Sequence, residues 1–248
     1  MEGMFLTIPL LWSRGNGLGP VYSLPIYRHP ADSSPPLLQF SPIVETIRQH
    51  CARVLDQPLN HVLIQHYRSG ADYISEHSDK TIDVVRGSSV INVSIGAQRT
   101  MTIRTKKDAS VVDETTGAKS RSAERIPLPH NSMLVMGLDT NAKYLHSIRT
   151  DKRPVCEKTA EELAYDGERI SLTFRHIGTF LTSDQTRIYG QGATAKCPEE
   201  ARRVINGGEE AERLIVAFGE ENHKTEFDWD GVYGRGFDVL HFNLTEIE

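Results

Sequence analysis

A succession of short β-rich runs separated by turn signals occupies residues 60–177, and it most constrains the fold of this chain. Valine, isoleucine and aromatic residues recur in NHVLIQHY at 60–67, SSVINVSIGA at 88–97 and RISLTFR at 169–175, as is typical of strands. The runs at 125–128 and 132–136 flank the turn PHNS and predict a hairpin. Many short strands in this arrangement predict a mainly β fold of the sandwich or jelly-roll type.

A flanking helix precedes these strands. Ser41 and Pro42 are the residue types of an N-cap and a first helical position, and apolar residues then recur at helical spacing to Leu55. Residues 1–40 are rich in proline and lack a sustained period, so we expect extended segments and loops that cover part of the core.

The region after the last strand has a different pattern. A Gly- and Thr-rich connector over 178–196 is followed by apolar residues at helical spacing, which predict helices over 198–205 and 209–218, the second ended by Gly219. We therefore predict an α+β chain with a mainly β domain over 1–180 and a helical C-terminal extension over 181–248.

The stretch EHSD places His77 and Asp79 one residue apart just after an apolar run. His146, in KYLHSIRT, is a third candidate ligand. Two imidazoles and one carboxylate on one face of an iron leave its other positions open, an arrangement used by non-haem Fe(II) oxygenases. The alternatives are a turn ion pair for His77 with Asp79 and a hydrogen-bonded strand histidine for His146.

Two arginines stand at the ends of RISLTFR. The even spacing of Arg169 and Arg175 puts both on one face of a strand, where they could hold a dicarboxylate, since a guanidinium pairs with a carboxylate through two parallel hydrogen bonds. The alternative is an exposed strand face. The remaining histidines, His29 among them, are given no role.

Composition limits the function classes. The 248 residues have a formal net charge of −5, which gives no global attraction to phosphate backbones, although Arg99, Arg104, Lys106, Lys107, Lys119, Arg121 and Arg125 could form a local basic patch. Three scattered cysteines without C-x-x-C spacing argue against a disulfide framework or a zinc site. Without an apolar span or a signal-peptide pattern, we expect a cytoplasmic or nuclear protein with no membrane partner and no obligate protein partner.

Several motifs occur together in a fixed order: Tyr67, His77-Ser78-Asp79, S-x-G-A at 94–97, LPHNSMLVM at 128–136, LHSI at 145–148 and RISLTFR at 169–175. In order and spacing they resemble the AlkB-like Fe(II)/2-oxoglutarate dioxygenases over about residues 55–180. The C-terminal tail looks similar to that of fungal members of this family.

The resemblance implies a double-stranded β-helix that binds Fe(II) through His77, Asp79 and His146. It further implies that 2-oxoglutarate is the cosubstrate. Arg175 would bind its distal carboxylate, with Arg169 and Tyr67 helping to hold it. Gln65 and Ser171 stand where the family has asparagines, and both could still hydrogen-bond to the cosubstrate.

The second residue after the iron-binding aspartate reads the damaged base in nucleobase-repairing relatives and is acidic there, whereas this chain has Thr81. The N-terminal nucleotide lid of those relatives is also unrecognisable here. These departures and the negative net charge lead us to predict a small-molecule substrate, hydroxylated or oxidatively cyclised. The alternative is oxidative demethylation of N-alkylated bases in DNA or RNA. A non-catalytic binding module is a third hypothesis, and the intact set of motifs opposes it.

Overall fold

A computed structural model describes residues 4–9, 12–14, 21–30, 37–112 and 119–242. Its strands are β1 (Met4–Pro9), β2 (Trp12–Arg14), β3 (Val21–Pro25), β4 (His61–Tyr67), β5 (Ile74–His77), β6 (Ser89–Gly96), β7 (Arg99–Thr105), β8 (Val111–Val112), β9 (Lys119–Ser120), β10 (Ala123–Leu128), β11 (Ser132–Gly137), β12 (Tyr144–Ile148), β13 (Arg169–Arg175), β14 (Thr179–Leu181), β15 (Arg187–Gly190), β16 (Arg202–Arg203), β17 (Ile205–Asn206) and β18 (Val239–His241). The helices are α1 (Pro42–Leu55), α2 (Leu138–Lys143), α3 (Ala160–Leu163), α4 (Gly208–His223) and α5 (Trp229–Tyr233).

Three antiparallel sheets contain most of these strands. The major sheet has the order β1-β4-β13-β6-β11, the minor sheet β10-β7-β12-β5, and the terminal sheet β16-β15-β14-β3-β2. The major and minor sheets face each other, because Tyr67 of β4 packs with Met101, Leu128 and Ile148 of the minor sheet. The prediction of a mainly β, α+β fold is confirmed, and two facing antiparallel sheets are consistent with a double-stranded β-helix.

Helix α1 covers the other face of the major sheet. Its N-terminus is as predicted, since Ser41 accepts a hydrogen bond from the Val44 backbone N–H and Pro42 occupies the first turn. Val44 and Cys51 pack with Val62 and Phe174 of the sheet. The major sheet is therefore covered on both faces, which explains why strand β13 is buried along nearly its whole length.

The hairpin predicted over residues 125–136 is wrong. β10 pairs with β7 in the minor sheet, and β11 pairs with β6 in the major sheet. The turn PHNS thus carries the chain from one sheet to the other. Both strands have the pattern of half-buried strands, and only the packing of the two sheets decides that they do not pair with each other.

The C-terminal region contains strands as well as helices. The predicted connector forms β14 and β15, and the helix predicted over 198–205 is wrong, because this segment is a single 3-10 turn followed by β16 and β17. β14 pairs with β3, which joins this region to the N-terminal strands. The domain boundary at residue 180 stays a prediction.

Helix α4 is longer than predicted, since it continues through Gly219 to His223. Leu214 and Phe218 of α4 pack around Ile82, which follows the H-x-D stretch. The Lys106 ammonium, also buried, donates to the carbonyls of Glu221 (2.6 Å) and Lys224 (3.1 Å) at the C-terminal end of α4. The C-terminal end of a helix carries the negative end of the helix dipole and therefore stabilises a cation. Lys106 and the buried Arg99 therefore belong to the interior and contribute little to a surface basic patch.

None of the described helices is both long and apolar enough to cross a membrane. Cys51, Cys156 and Cys197 are free thiols, as predicted.

A buried ion pair joins the C-terminal region to the rest of the chain. The Arg28 Nη2 lies 2.6 Å from Asp83 Oδ1, with both side chains almost fully buried. The same guanidinium donates to the carbonyls of Phe237 (2.7 Å) and Gly192 (2.8 Å). Removing one partner of such a pair leaves a buried charge without compensation.

We expect Arg28→Met to lower the free energy of unfolding by about 3–5 kcal/mol, measured by urea denaturation. Arg86→Met is the matched control, because Arg86 forms an ion pair with Asp230 across the same two regions with both side chains more than half exposed. The control should cost no more than about 1 kcal/mol. Equal losses in the two variants would contradict the role assigned to the buried pair.

Candidate metal centre and cosubstrate pocket

His77, Asp79 and His146 converge at one point between the sheets. His77 is the last residue of β5, and His146 in β12 stands directly opposite it in the strand pairing. Their ring centroids lie 4.3 Å apart. Asp79 Oδ1 is 4.0 Å from His77 Nε2 and 3.9 Å from His146 Nε2. One donor atom from each residue lies within 4.8 Å of the other two, as the sequence pattern predicts.

Two further contacts orient this cluster, referred to below as the triad. His77 Nδ1 lies 2.7 Å from the Ser75 carbonyl, and a proton on Nδ1 leaves Nε2 free as a ligand atom. Asn141 holds the Asp79 backbone: its Oδ1 accepts from the Asp79 N–H (2.8 Å), and its Nδ2 donates to the Asp79 carbonyl (2.9 Å). Asn141 carries no sequence signal, because its partner is distant in the chain.

Arg175 contacts the triad directly. Its Nε and Nη2 donate to Asp79 Oδ2 at 3.1 and 2.9 Å, and its guanidinium lies 3.9 Å from the centroid of the Tyr27 ring. Asp79 Oδ2 is thus engaged, and Oδ1 faces the imidazoles. The contact of Arg175 with the distal carboxylate of the cosubstrate stays a prediction, and the hydrogen bonds seen here go to Asp79.

The buried environment sets the protonation states of the triad. Burial alone would raise the pKa of Asp79, but the positive charge of Arg175, followed by the interactions with His146 and His77, outweighs burial and lowers the pKa to about 2. Burial lowers the pKa of His77, and burial together with the neighbouring His77 lowers that of His146 to about 3. At neutral pH the carboxylate is therefore ionised and both imidazoles are neutral, the state that metal ligands need.

The donor set fits a ferrous ion. It has two imidazole nitrogens and one carboxylate oxygen on one side of the converging point, which is the set used by non-haem Fe(II) oxygenases. The second carboxylate oxygen is taken by Arg175, so Asp79 offers one oxygen to the metal.

Arg169 lies at the other end of β13. It is fully buried, its Nη2 donates to Ser94 Oγ (2.8 Å) and Asn92 Oδ1 (3.1 Å), and its guanidinium lies 5.1 Å from the centroid of the Tyr67 ring. Burial lowers its pKa to about 10, so it remains a cation at neutral pH. Among the described residues, Arg169 Nη1 has no hydrogen-bond partner.

A cavity of about 740 Å³ contains the triad and Arg175, and its lining includes Asn92, to which Arg169 donates, but not Arg169 itself. Gln65, Tyr67 and Ser171, the other residues predicted to contact the cosubstrate, line this cavity together with the triad and Arg175. The volume lies within the range of small-molecule sites, about 300–1,000 Å³. Other lining residues were not predicted from the sequence. They include Tyr27, His29 and five residues of α4.

Thr81, which stands where base-repairing relatives have an acid, is bound to the C-terminal region. Its backbone N–H donates to Glu221 Oε1 (3.0 Å), and its hydroxyl donates to the same oxygen. The other carboxylate oxygen of Glu221 accepts from the Tyr233 hydroxyl at 2.9 Å. Thr81 thus fastens α4 to the segment that carries Asp79.

Comparison with known proteins assigns the family. The family model described as "2OG-Fe(II) oxygenase superfamily" matches residues 14–175. The chain belongs to this superfamily. It is therefore a 2OG-Fe(II) oxygenase with Fe(II) and 2-oxoglutarate as metal and cosubstrate, and the AlkB-like resemblance is confirmed at the level of the family.

Curated relatives of this 2OG-Fe(II) oxygenase include the DNA oxidative demethylase ALKBH2 of Homo sapiens, 35% identical over 138 residues, which cover 55% of this chain and 46% of the relative. The protein of the same name from Arabidopsis thaliana is 30% identical over 129 residues, with 48% and 38% covered. The chain spans about half the length of the human relative. The solved structure of OsALKBH1 covers 57% of this chain and 66% of its own at 17% identity, with a TM-score of 0.35.

Loss of a residue that only orients a metal ligand weakens metal binding about 10–100-fold. Because His146 is itself a candidate ligand, we expect His146→Ala to weaken Fe(II) binding by more than this and to abolish succinate formation from 2-oxoglutarate. His50→Ala, on the exposed face of α1, is the control and should behave as wild type. Metal binding is measured anaerobically by titration. Undiminished succinate formation by His146→Ala would remove this residue from the ligand set.

Proposed function

We propose that this 2OG-Fe(II) oxygenase removes alkyl groups from N-alkylated nucleobases by oxidation. The sequence likeness to proteins named DNA oxidative demethylase carries this proposal. The stretch matched by the family model, residues 14–175, includes the triad and both strand arginines. The negative net charge and Thr81 by themselves predict a small-molecule substrate. The relatives favour the alternative over that prediction.

The proposed reaction uses Fe(II), 2-oxoglutarate, O2 and the alkylated base. Fe(II) with 2-oxoglutarate and O2 supplies the oxidation of a C–H bond, with one oxygen atom going to succinate, released with CO2, and the other to the substrate carbon. Hydroxylation of an N-methyl carbon gives a hemiaminal. The C–N bond then breaks, so that the nitrogen regains a proton and formaldehyde leaves. The protein holds the ligands, excludes water and positions the alkyl group.

We assign the iron ligands to His77, Asp79 and His146 and the distal carboxylate of 2-oxoglutarate to Arg169. A buried cation with an unpartnered N–H, next to the Tyr67 ring, suits an anionic ligand. Gln65 and Ser171 would donate hydrogen bonds along the cosubstrate. Arg175 acts on the iron end, because it holds the carboxylate of Asp79 and lines the cavity, whereas Arg169 contacts the lining residues Tyr67, Asn92 and Ser171. This exchanges the roles first expected for the two arginines.

A cationic surface next to the cavity favours a nucleic acid as partner. Arg104, Arg121 and Arg149 surround the single carboxylate of Glu76, at 3.1, 3.4 and 3.8 Å. Glu76 precedes the ligand His77 in the chain. Three cations on one anion leave an excess of positive charge, which attracts phosphate even when the whole chain is negative.

A small-molecule substrate is the second candidate. Helix α4 forms part of the cavity wall, and Thr81 hydrogen-bonds to Glu221. The hydrogen bond holds α4 in place, and the helix bounds the cavity beside the triad, which suits a small substrate. The predicted cytoplasmic or nuclear location is compatible with either substrate.

The roles of Arg169 and Arg175 can be distinguished by whether a substitution weakens the binding of 2-oxoglutarate or of Fe(II). We expect Arg169→Lys to weaken 2-oxoglutarate binding about 10-fold, because a lysine keeps the charge and loses the forked donors. Arg175→Lys should instead weaken Fe(II) binding, since it frees Asp79 Oδ2. Both affinities are measured anaerobically. A larger loss of 2-oxoglutarate affinity in Arg175→Lys than in Arg169→Lys would restore the original assignment.

Substrate class is tested with the Fe(II)-loaded enzyme and 2-oxoglutarate. We expect formaldehyde and succinate in equal amounts from single-stranded oligonucleotides that carry N-methylated bases, and no formaldehyde from unmethylated ones. Binding to the oligonucleotide should weaken steeply with salt. Succinate formation stimulated by a metabolite panel and unaffected by methylated bases would favour the second candidate.

A further inference from the structure

Helix α4 lies outside the stretch matched by the family model, which ends at residue 175. It nevertheless contributes Ile215, Gly219 and Asn222 to the cavity that contains the triad. The wall on this side of the cavity is therefore a property of this chain's own C-terminal region.

The position of α4 relative to the iron ligands is fixed by polar contacts. Asn222 Oδ1 accepts from the Ser78 N–H at 2.9 Å and from the Lys80 ammonium at 3.3 Å. Ser78 and Lys80 flank Asp79 on both sides. Glu221, one residue earlier on the helix, binds Thr81. Any group that enters the cavity thus meets a wall held directly to the segment that bears the metal ligand.

Gly219 is the unusual residue of this wall. A glycine inside a helix is destabilising compared with alanine, and α4 extends beyond it to His223. Neither of the common reasons for a glycine applies: its φ is not positive, and a Cβ built on it would meet no heavy atom within 4 Å. The space next to it belongs to the cavity. Glycine at this place keeps the cavity open and exposes a flat stretch of helix backbone.

We propose that Gly219 is a specificity-determining position, where the face of the N-alkylated base packs against the bare backbone of α4. This inference rests on the proposed function. A planar ring approaches a glycine backbone more closely than any other residue allows. His29 lines the same cavity, and burial lowers its pKa to about 4, so a neutral aromatic ring is available for a base to contact.

The test compares Gly219→Ala and Gly219→Leu with wild type on an N-methylated single-stranded oligonucleotide. We expect the leucine variant to lose kcat/KM by about 10-fold or more, because its side chain occupies the space of the base, and the alanine variant to lose less. The visible absorption of the anaerobic Fe(II)–2-oxoglutarate complex should be retained in both. The unfolding temperature should not fall, since a glycine is removed from a helix.

Val216→Leu is the matched control. Val216 lies on the same helix, is 61% exposed and does not line the cavity, so its kcat/KM should equal that of wild type. Wild-type kcat/KM in Gly219→Leu would overturn the inference while leaving the proposed function intact. If Gly219→Leu does not fold, the alanine variant decides, and an unchanged KM in it counts against the inference. A wild-type enzyme that releases no formaldehyde from any methylated base would overturn the proposed function and the inference with it.

Discussion

The hydrogen-bonded pair between Asp79 and Arg175 is the interaction on which the metal centre depends. Both side chains are almost fully buried, and a buried carboxylate stays ionised only if a cation or hydrogen bonds compensate it. Arg175 supplies both at Oδ2, which turns Oδ1 toward the two imidazoles. The same cation disfavours protonation of His77 and His146. Arg175 therefore sets the charge and the direction of the carboxylate, and it adds to the effect of burial that keeps both imidazoles neutral.

The stretch matched by the family model ends at residue 175, whereas the cavity of this chain is also lined by residues of α4. The two facing sheets supply the triad and the part of the cavity lined by Gln65, Tyr67 and Ser171, and α4 supplies further lining residues. Three kinds of buried polar contact hold the C-terminal region in place: Arg28 with Asp83, Lys106 at the end of α4, and Thr81 with Glu221. These contacts join the C-terminal region to the segments around the triad.

Local chemistry made a large part of the fold and site predictable. The Ser41-Pro42 helix start, the strand periods and the H-x-D stretch each depend on residues close together in the chain. The third ligand was predictable from its motif, and pairing of β5 with β12 places it opposite His77. Helix propensity gave the wrong prediction at residues 198–205, where the chain forms short strands instead of a helix. It also predicted that α4 ends at Gly219, whereas the helix continues and Glu221 and Asn222 make hydrogen bonds beyond that point.

The sequence by itself determined that the chain is mainly β and which residue types could hold a ferrous ion and a dicarboxylate, since these follow from period, spacing and donor chemistry. Only the tertiary structure decided that Arg175 hydrogen-bonds to Asp79, that Asn141 holds the Asp79 backbone and Tyr27 packs on Arg175, and that α4 lines the cavity. The physical reason is that these contacts join residues far apart in the chain. Their distances are set by the packing of whole sheets and helices, which no local pattern records.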